Sequence, residues 1–263
     1  MSNRTTPRVR LEFANLPLVE VAVRATFSQP LELKFAIINR VAERLRPDFP
    51  ILAEPERFEL PPGVSGQVEF GPGTLVGAIY SGNQHGIIIT VQSQVIVARW
   101  LKQVQPSAPA YPRYSALRDA LWQAFDALTD ASNGARPPIV VTNMSYVNFW
   151  AMSPSEPVLA KYFSELVHVR AAVNSQALHK LEASWRERDD VDLRFTLEQV
   201  TAKMEERDVE GFRLTTAAGQ RLAASANPQE KLDFLHDRLQ IFFREVLSEH
   251  AKTEWALTSP EAT

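Results

Sequence analysis

Tyr111-Pro112-Arg113-Tyr114 is the most distinctive short motif in the chain. Two tyrosines flanking an arginine can clamp a partner, because phenol rings stack and donate hydrogen bonds while a guanidinium binds ring faces. The same residues can instead wedge a helix start against a sheet, with Arg113 paired to a carboxylate, and that packing role is the weightier expectation. Arg99-Trp100-Leu101-Lys102 mixes an aromatic with cations at the end of an expected strand. Such a cluster could hold a nucleic-acid backbone, but a single one is a weak signal without a surplus of positive charge. Tyr146, Asn148 and Trp150 share one face of an expected long strand with Met144, whereas Asn143 lies on the other face. A buried asparagine must find hydrogen bonds from backbone or from a ligand, and backbone is the expectation here. Arg99, Trp100, Lys102, Tyr111, Arg113, Tyr114, Tyr146 and Asn148 are therefore the candidate partner-binding residues.

Catalytic patterns are missing from the sequence. It contains no GxxxxGK[ST] or GxGxxG phosphate loop, no GxSxG elbow and no HExxH pair. The five histidines, at positions 85, 168, 179, 236 and 250, include no pair at i+3 or i+4, so no helix presents two of them to one metal ion. His236 precedes Asp237, but helix neighbours at i, i+1 diverge by about 100°, and a boundary histidine is expected. Asp189, Asp190 and Asp192 alternate with Arg186, Arg188 and Arg194, the composition of a solvated loop more than of a metal-dependent hydrolase. No catalytic, cofactor-binding or metal-binding residue is expected.

The 263 residues contain no cysteine, which removes disulfide scaffolds, thiolate nucleophiles and cysteine-based metal sites. With 45% hydrophobic and 22% charged residues, the composition is that of an ordinary globular protein. A net charge of −3 argues against a dedicated nucleic-acid coat. Residues 1–137 carry 14 basic and 12 acidic side chains, and residues 138–263 carry 14 and 19, so the halves differ in sign. Apolar runs fall far short of the roughly 20 residues that span a bilayer, and Met1 to Arg10 lack a signal-peptide core. A soluble cytoplasmic protein is expected.

The elements that must position these residues follow from periodicity. Leu18 to Phe27 alternate with period two, a strand with Val19, Val21, Val23, Ala25 and Phe27 on one face. Ile37, Val41 and Leu45 then recur at helical spacing, widened by Phe35 and Ile38, and Pro47 stops the helix. Asp48 to Pro72 is rich in proline and glycine, with one short strand expected at Arg57 to Leu60. Thr74–Tyr80, His85–Gln92 and Gln94–Lys102 read as an antiparallel meander. Pro106 to Pro112 connects to a helix with Pro112 in its first turn, a stripe of Leu117, Leu121, Ala124, Phe125 and Leu128, and an end near Asn133-Gly134.

A similar order follows. Ile139 to Trp150 is a long strand, and Ser153 to Glu156 starts a helix with Leu159, Tyr162, Phe163 and Leu166. Strands are expected at 177–186, 191–200 and 209–216, the last turned by Ala217-Ala218-Gly219. Asn227-Pro228-Gln229-Glu230 caps a long helix striped by Leu232, Leu235, Leu239, Phe242 and Val246. The expected class is α+β: two duplicated β-α-β-β-β-α halves, 1–137 and 138–263, forming one continuous unit. This plan resembles the saddle of the TATA-binding-protein-like fold, a curved antiparallel sheet with helices on one face and the other face open.

Four stretches carry a further resemblance: Asn15-Leu16-Pro17-Leu18-Val19-Glu20-Val21, Tyr111 to Arg118, Val141-Thr142-Asn143-Met144-Ser145-Tyr146-Val147-Asn148, and Leu235-His236-Asp237 through Phe242-Phe243 to Trp255. In these the chain resembles a sporadically distributed bacterial family of proteins of about this length, without an assigned function. The resemblance implies a gene of mobile or defence islands and brings no catalytic residues. The expected function is a non-catalytic interaction component, accessory, regulatory or antitoxin-like, of a bacterial defence or toxin-associated system. Its partner would be a protein encoded nearby, with a second copy of the chain as a further candidate and no membrane. The alternatives are nucleic-acid binding on the open sheet face and, least favoured, a metal-dependent hydrolase.

Overall fold

Alternating side chains and two long amphipathic stripes build a sheet with helices. The computed structural model describes residues 12–13, 17–53, 77–102, 110–152, 157–164, 180–187, 190–204 and 207–258. In chain order the elements are β1 (Glu12–Phe13), β2 (Leu18–Phe27), α1 (Phe35–Leu45), β3 (Ile51–Ala53), β4 (Gly77–Ser81), β5 (Ile87–Gln92), β6 (Val95–Leu101) and α2 (Arg113–Ala131). They continue as β7 (Ile139–Ala151), α3 (Val158–Tyr162), β8 (Lys180–Arg186), β9 (Val191–Met204), β10 (Arg207–Arg221), α4 (Pro228–Val246), α5 (Glu249–Glu254) and β11 (Leu257–Thr258). The fold is α+β, with one nine-stranded antiparallel sheet hydrogen-bonded in the order β3-β4-β5-β6-β2-β7-β10-β9-β8. β1 and β11 form a separate two-stranded ribbon. The expected strand at Arg57 to Leu60 and helix start at Ser153 to Glu156 lie outside the described residues.

The chain divides into two compact units, residues 20–145 with 219–232, and residues 1–19 with 146–218 and 233–263. In the first, β4, β5 and β6 pair in the expected meander and β2 joins it beside β6, with Ile89 facing Ala98 and Ala98 facing Val23. Val21, Val23, Ala25 and Phe27 are buried on the helix-covered face, as the alternation requires. Phe125 of α2 packs on Phe27 at 6.1 Å between ring centroids. The Tyr80 hydroxyl donates to the Ile38 carbonyl of α1 at 3.3 Å. Burial holds that phenol far above its ordinary ionisation range, so it stays a neutral donor.

α1 buries Ile38, Val41 and Leu45. Phe35, expected to widen the stripe, is instead 62% exposed. At 100° per residue it sits about 90° from the centre of that buried stripe. α2 buries Leu117, Leu121, Ala124, Phe125 and Leu128 as expected. It ends where Gly134, at φ +80°, donates its N–H to the Thr129 carbonyl at 2.9 Å, a backbone position that favours glycine. Pro112 lies at the N-cap of α2 instead of in its first turn.

In the second unit β8 and β9 pair from Lys180 facing Glu198 to Arg186 facing Asp192, and Val191, Leu193, Phe195 and Leu197 are all buried. α3 is a single turn. Phe163, expected to continue it, is extended and bridges to Leu247, which places its ring in the core. Trp150 is the centre of an aromatic cluster, with ring centroids 5.5 Å from Tyr162, 6.4 Å from Phe212 and 5.5 Å from Trp255. β10 runs straight through Ala217-Ala218-Gly219, where a turn was expected. Phe212, Leu214, Thr216, Ala218 and Gln220 are buried at alternate positions, so the burial pattern continues the strand past the small residues.

α4 begins as its sequence specifies. Gln229 donates its N–H to Asn227 Oδ1 at 3.0 Å, and Asn227 Nδ2 donates to Glu230 Oε1 at 3.0 Å. Asn227→Ala removes both bonds and is expected to destabilise the fold by about 1 kcal/mol. Thermal unfolding followed by circular dichroism should register this as a fall in Tm of about 2–4 °C.

Candidate functional site

Six of the eight candidate residues belong to the unit of residues 20–145 and 219–232. Trp100, on the helix-covered side of β6, is only 4% exposed, and its ring lies 5.3 Å from that of Tyr111. The two aromatics thus pack on each other at the approach to α2. Arg113 is the first residue of α2, exposed, and held at φ +74°, a conformation uncommon outside glycine. Tyr114 is half-buried, with the Arg118 guanidinium 6.0 Å from its ring centroid and Arg118 paired to Asp119 at 2.9 Å. The YPRY motif is therefore packed into the helix start, with Arg113 as its exposed member.

Arg99 points to the opposite side of β6 from Trp100, facing Ala22 of β2 and Ile88 of β5. Its Nε is buried without a hydrogen-bond partner among the described residues. Lys102 lies just past β6 and is exposed. This second face of the strands is not uniformly open as expected: Ala22, Val95 and Val97 form a buried cluster on it, and Thr90 and Gln92 are buried as well.

Tyr146 and Asn148 belong to the other unit, together on the buried face of β7 with Trp150. Asn148 is 0% exposed, and neither Oδ1 nor Nδ2 meets a hydrogen-bond partner among the described residues. The expected backbone satisfaction is thus not made there. Thr216 Oγ1 on β10 is likewise buried and unmatched among them.

The Tyr146 hydroxyl accepts from Gln240 Nε2 of α4 at 3.3 Å. Gln240 Nε2 also lies 3.4 Å from His236 Nε2, and His236 Nδ1 lies 3.2 Å from Asp237 Oδ1. With Nδ1–H donated to the carboxylate, Nε2 accepts one amide hydrogen of Gln240 while the other goes to Tyr146. A hydrolytic triad would aim that Nε2 at a nucleophilic hydroxyl or thiol. Here an amide occupies the position, and the chain of bonds fixes Tyr146 under α4. His236 is the boundary histidine expected, with its side chain 18% exposed, and it takes part in this chain of bonds. The missed signal was the i, i+4 spacing of His236 and Gln240 beside the buried Leu235 and Leu239.

Among the described residues no group of three or more His, Asp and Glu side chains is placed to hold a metal ion. No described helix is long and apolar enough to cross a membrane. No protein-family model matches the chain, and no curated protein matches it.

The exposed surface of the second unit is of a different kind. β8, β9 and β10 present Lys180, Arg186, Arg194 and Arg213 interspersed with Glu182, Asp192 and Glu198. Arg213 pairs with Glu198 at 2.8 Å across β10 and β9, and Lys180 pairs with Glu182 at 3.0 Å. Cations and carboxylates alternate over this face, so it presents directional charge contacts without a single-sign field.

Proposed function

We propose that this chain is a non-catalytic protein-interaction component, accessory, regulatory or antitoxin-like, of a bacterial defence or toxin-associated system. Its partner is a protein encoded near it, bound on the exposed face of β8, β9 and β10. The observation that carries this reading is the alternation of Arg186, Arg194 and Arg213 with Glu182, Asp192 and Glu198 on that face. Alternating charges select a protein surface of complementary pattern, because like charges placed opposite each other exclude wrong partners. A polyphosphate backbone requires cations of one sign.

The internally duplicated saddle belongs to the same proposal. It is supported by the strand order, in which the first strands that the two halves give to the nine-stranded sheet, β2 and β7, are neighbours and the further strands continue outward, β6-β5-β4 and β10-β9-β8. Each half also runs strand, helix, further strands, helix.

Titration with duplex and single-stranded DNA and RNA discriminates a protein partner from a nucleic acid. The expected result is no mobility shift at low salt with protein at about 10 μM, a concentration at which non-specific phosphate binding is already populated. A shift that weakens steeply with salt and is lost in Arg99→Glu would overturn the protein-partner reading in favour of the sheet face that bears Arg99.

A further inference from the structure

β8 is the last strand in the hydrogen-bonded order, and among the described residues no strand lies beyond it. Its ladder with β9 extends to Glu187, whose N–H donates to the Val191 carbonyl at 2.9 Å. Bonded and non-bonded positions alternate along an antiparallel strand. Glu187, Trp185, Ala183 and Leu181 therefore exchange bonds with β9, while Lys180, Glu182, Ser184 and Arg186 aim their N–H and C=O groups at the outer edge. The side chains of these outward residues are all exposed.

We infer that β8 is a homodimerisation edge: two copies of the chain pair their β8 strands antiparallel across a twofold axis at Ser184. The charge pattern selects this register. An axis at Glu182 sets Glu182 against its own copy, and an axis at Ala183 sets Lys180 against Arg186 twice. An axis at Ser184 sets Glu182 against Arg186 of the partner subunit, sets Arg186 against the partner subunit's Glu182, and leaves only Ser184 facing itself. Of the registers that keep three or more outward residues of β8 paired, this one alone matches opposite charges. Directly opposed charges decide between such registers, because like pairs disfavour a strand pairing and opposite pairs favour it. Each facing pair adds two backbone hydrogen bonds. The pairs that Lys180 and Arg186 make within the chain, with Glu182 and Asp190, lie between exposed side chains and exchange at little cost. This inference does not depend on the proposed partner protein.

Sedimentation equilibrium on the full chain tests it. The wild type is expected to show a concentration-dependent monomer–dimer equilibrium below about 300 μM, the range of a small, edge-limited interface. Glu182→Arg and Arg186→Glu each create two like-charge pairs and should each weaken the dimer about tenfold, and the double exchange should restore it. Ser184→Pro removes an N–H that faces away from β9, which an edge strand tolerates, and should give a folded monomer by circular dichroism. A wild type that stays monomeric throughout, a dimer unaffected by Ser184→Pro, or a double exchange that fails to restore dimerisation overturns the proposal.

Discussion

Trp150→Ala is expected to be the most damaging single substitution in the smaller unit, lowering stability by about 3–5 kcal/mol. Trp150 touches four rings from three other segments: Tyr162 at 5.5 Å, Phe163 at 6.5 Å, Phe212 at 6.4 Å and Trp255 at 5.5 Å. These rings also contact one another, since Tyr162 stacks on Trp255 at 5.7 Å and Phe163 meets Phe195 at 5.2 Å. Their positions are set by separate backbone anchors, including the Ser248 hydroxyl donating to the Lys161 carbonyl at 2.6 Å. The cluster therefore cannot collapse fully into the space left by an indole, and the cavity adds to the lost transfer energy. Since total stability is about 5–15 kcal/mol, Tm should fall by about 6–20 °C. Trp150→Phe keeps most of the ring contacts and should lose less than half as much. Differential scanning calorimetry of both variants measures this, and a Trp150→Ala protein that melts with the parent would show that the cluster is not a cooperative core.

Phe242→Ala is expected to cost a similar amount, about 3–5 kcal/mol, because α4 is packed onto the sheet along its whole stripe. Leu232, Leu235, Leu239, Phe242 and Val246 are all buried, and the Phe242 ring meets Trp185 of β8 edge-on at 5.1 Å. Arg244, two residues on, is exposed, and Arg244→Ala should change stability by less than about 0.5 kcal/mol. The contrast separates a core helix from a detachable one. Urea unfolding of the two variants checks it, and a Phe242→Ala variant as stable as Arg244→Ala would mean that α4 is held by something other than its apolar stripe.

Both stripes were legible in the sequence because helical and strand periods write burial directly into residue order. β2 and the buried faces of α2, β9 and α4 follow from spacing alone. Where the reading failed, local chemistry competed with tertiary context. Ala217-Ala218-Gly219 resembles a turn by composition, yet ladder pairing carries β10 across it. Phe163 continues a helical spacing, yet the core draws its ring out of the helix and into contact with Trp150 and Phe195. Phe35 is apolar, but its place around α1, about 90° from the stripe of Ile38, Val41 and Leu45, leaves it exposed. Of the candidate site, the packing of the tyrosines at the start of α2 and the shared face of Tyr146 and Asn148 could be anticipated, whereas the contact of Tyr111 with Trp100 joins two motifs that the sequence keeps apart. The link from Tyr146 through Gln240 to His236 could not, because nothing in one sequence says which strand passes beneath which helix turn.

The claim that this chain works through a protein partner is tested most directly by co-expression with each gene that flanks its own. The complexes are then resolved by size exclusion with in-line mass measurement. The account predicts that one neighbour co-elutes with the chain at fixed stoichiometry, and that reversing charge on the exposed face with Arg194→Glu and Arg213→Glu releases it while leaving Tm within about 2 °C. Elution of the chain free of every neighbour at concentrations of about 10 μM, well above a typical specific Kd, would contradict it, whether the chain then runs as a monomer or as its own dimer.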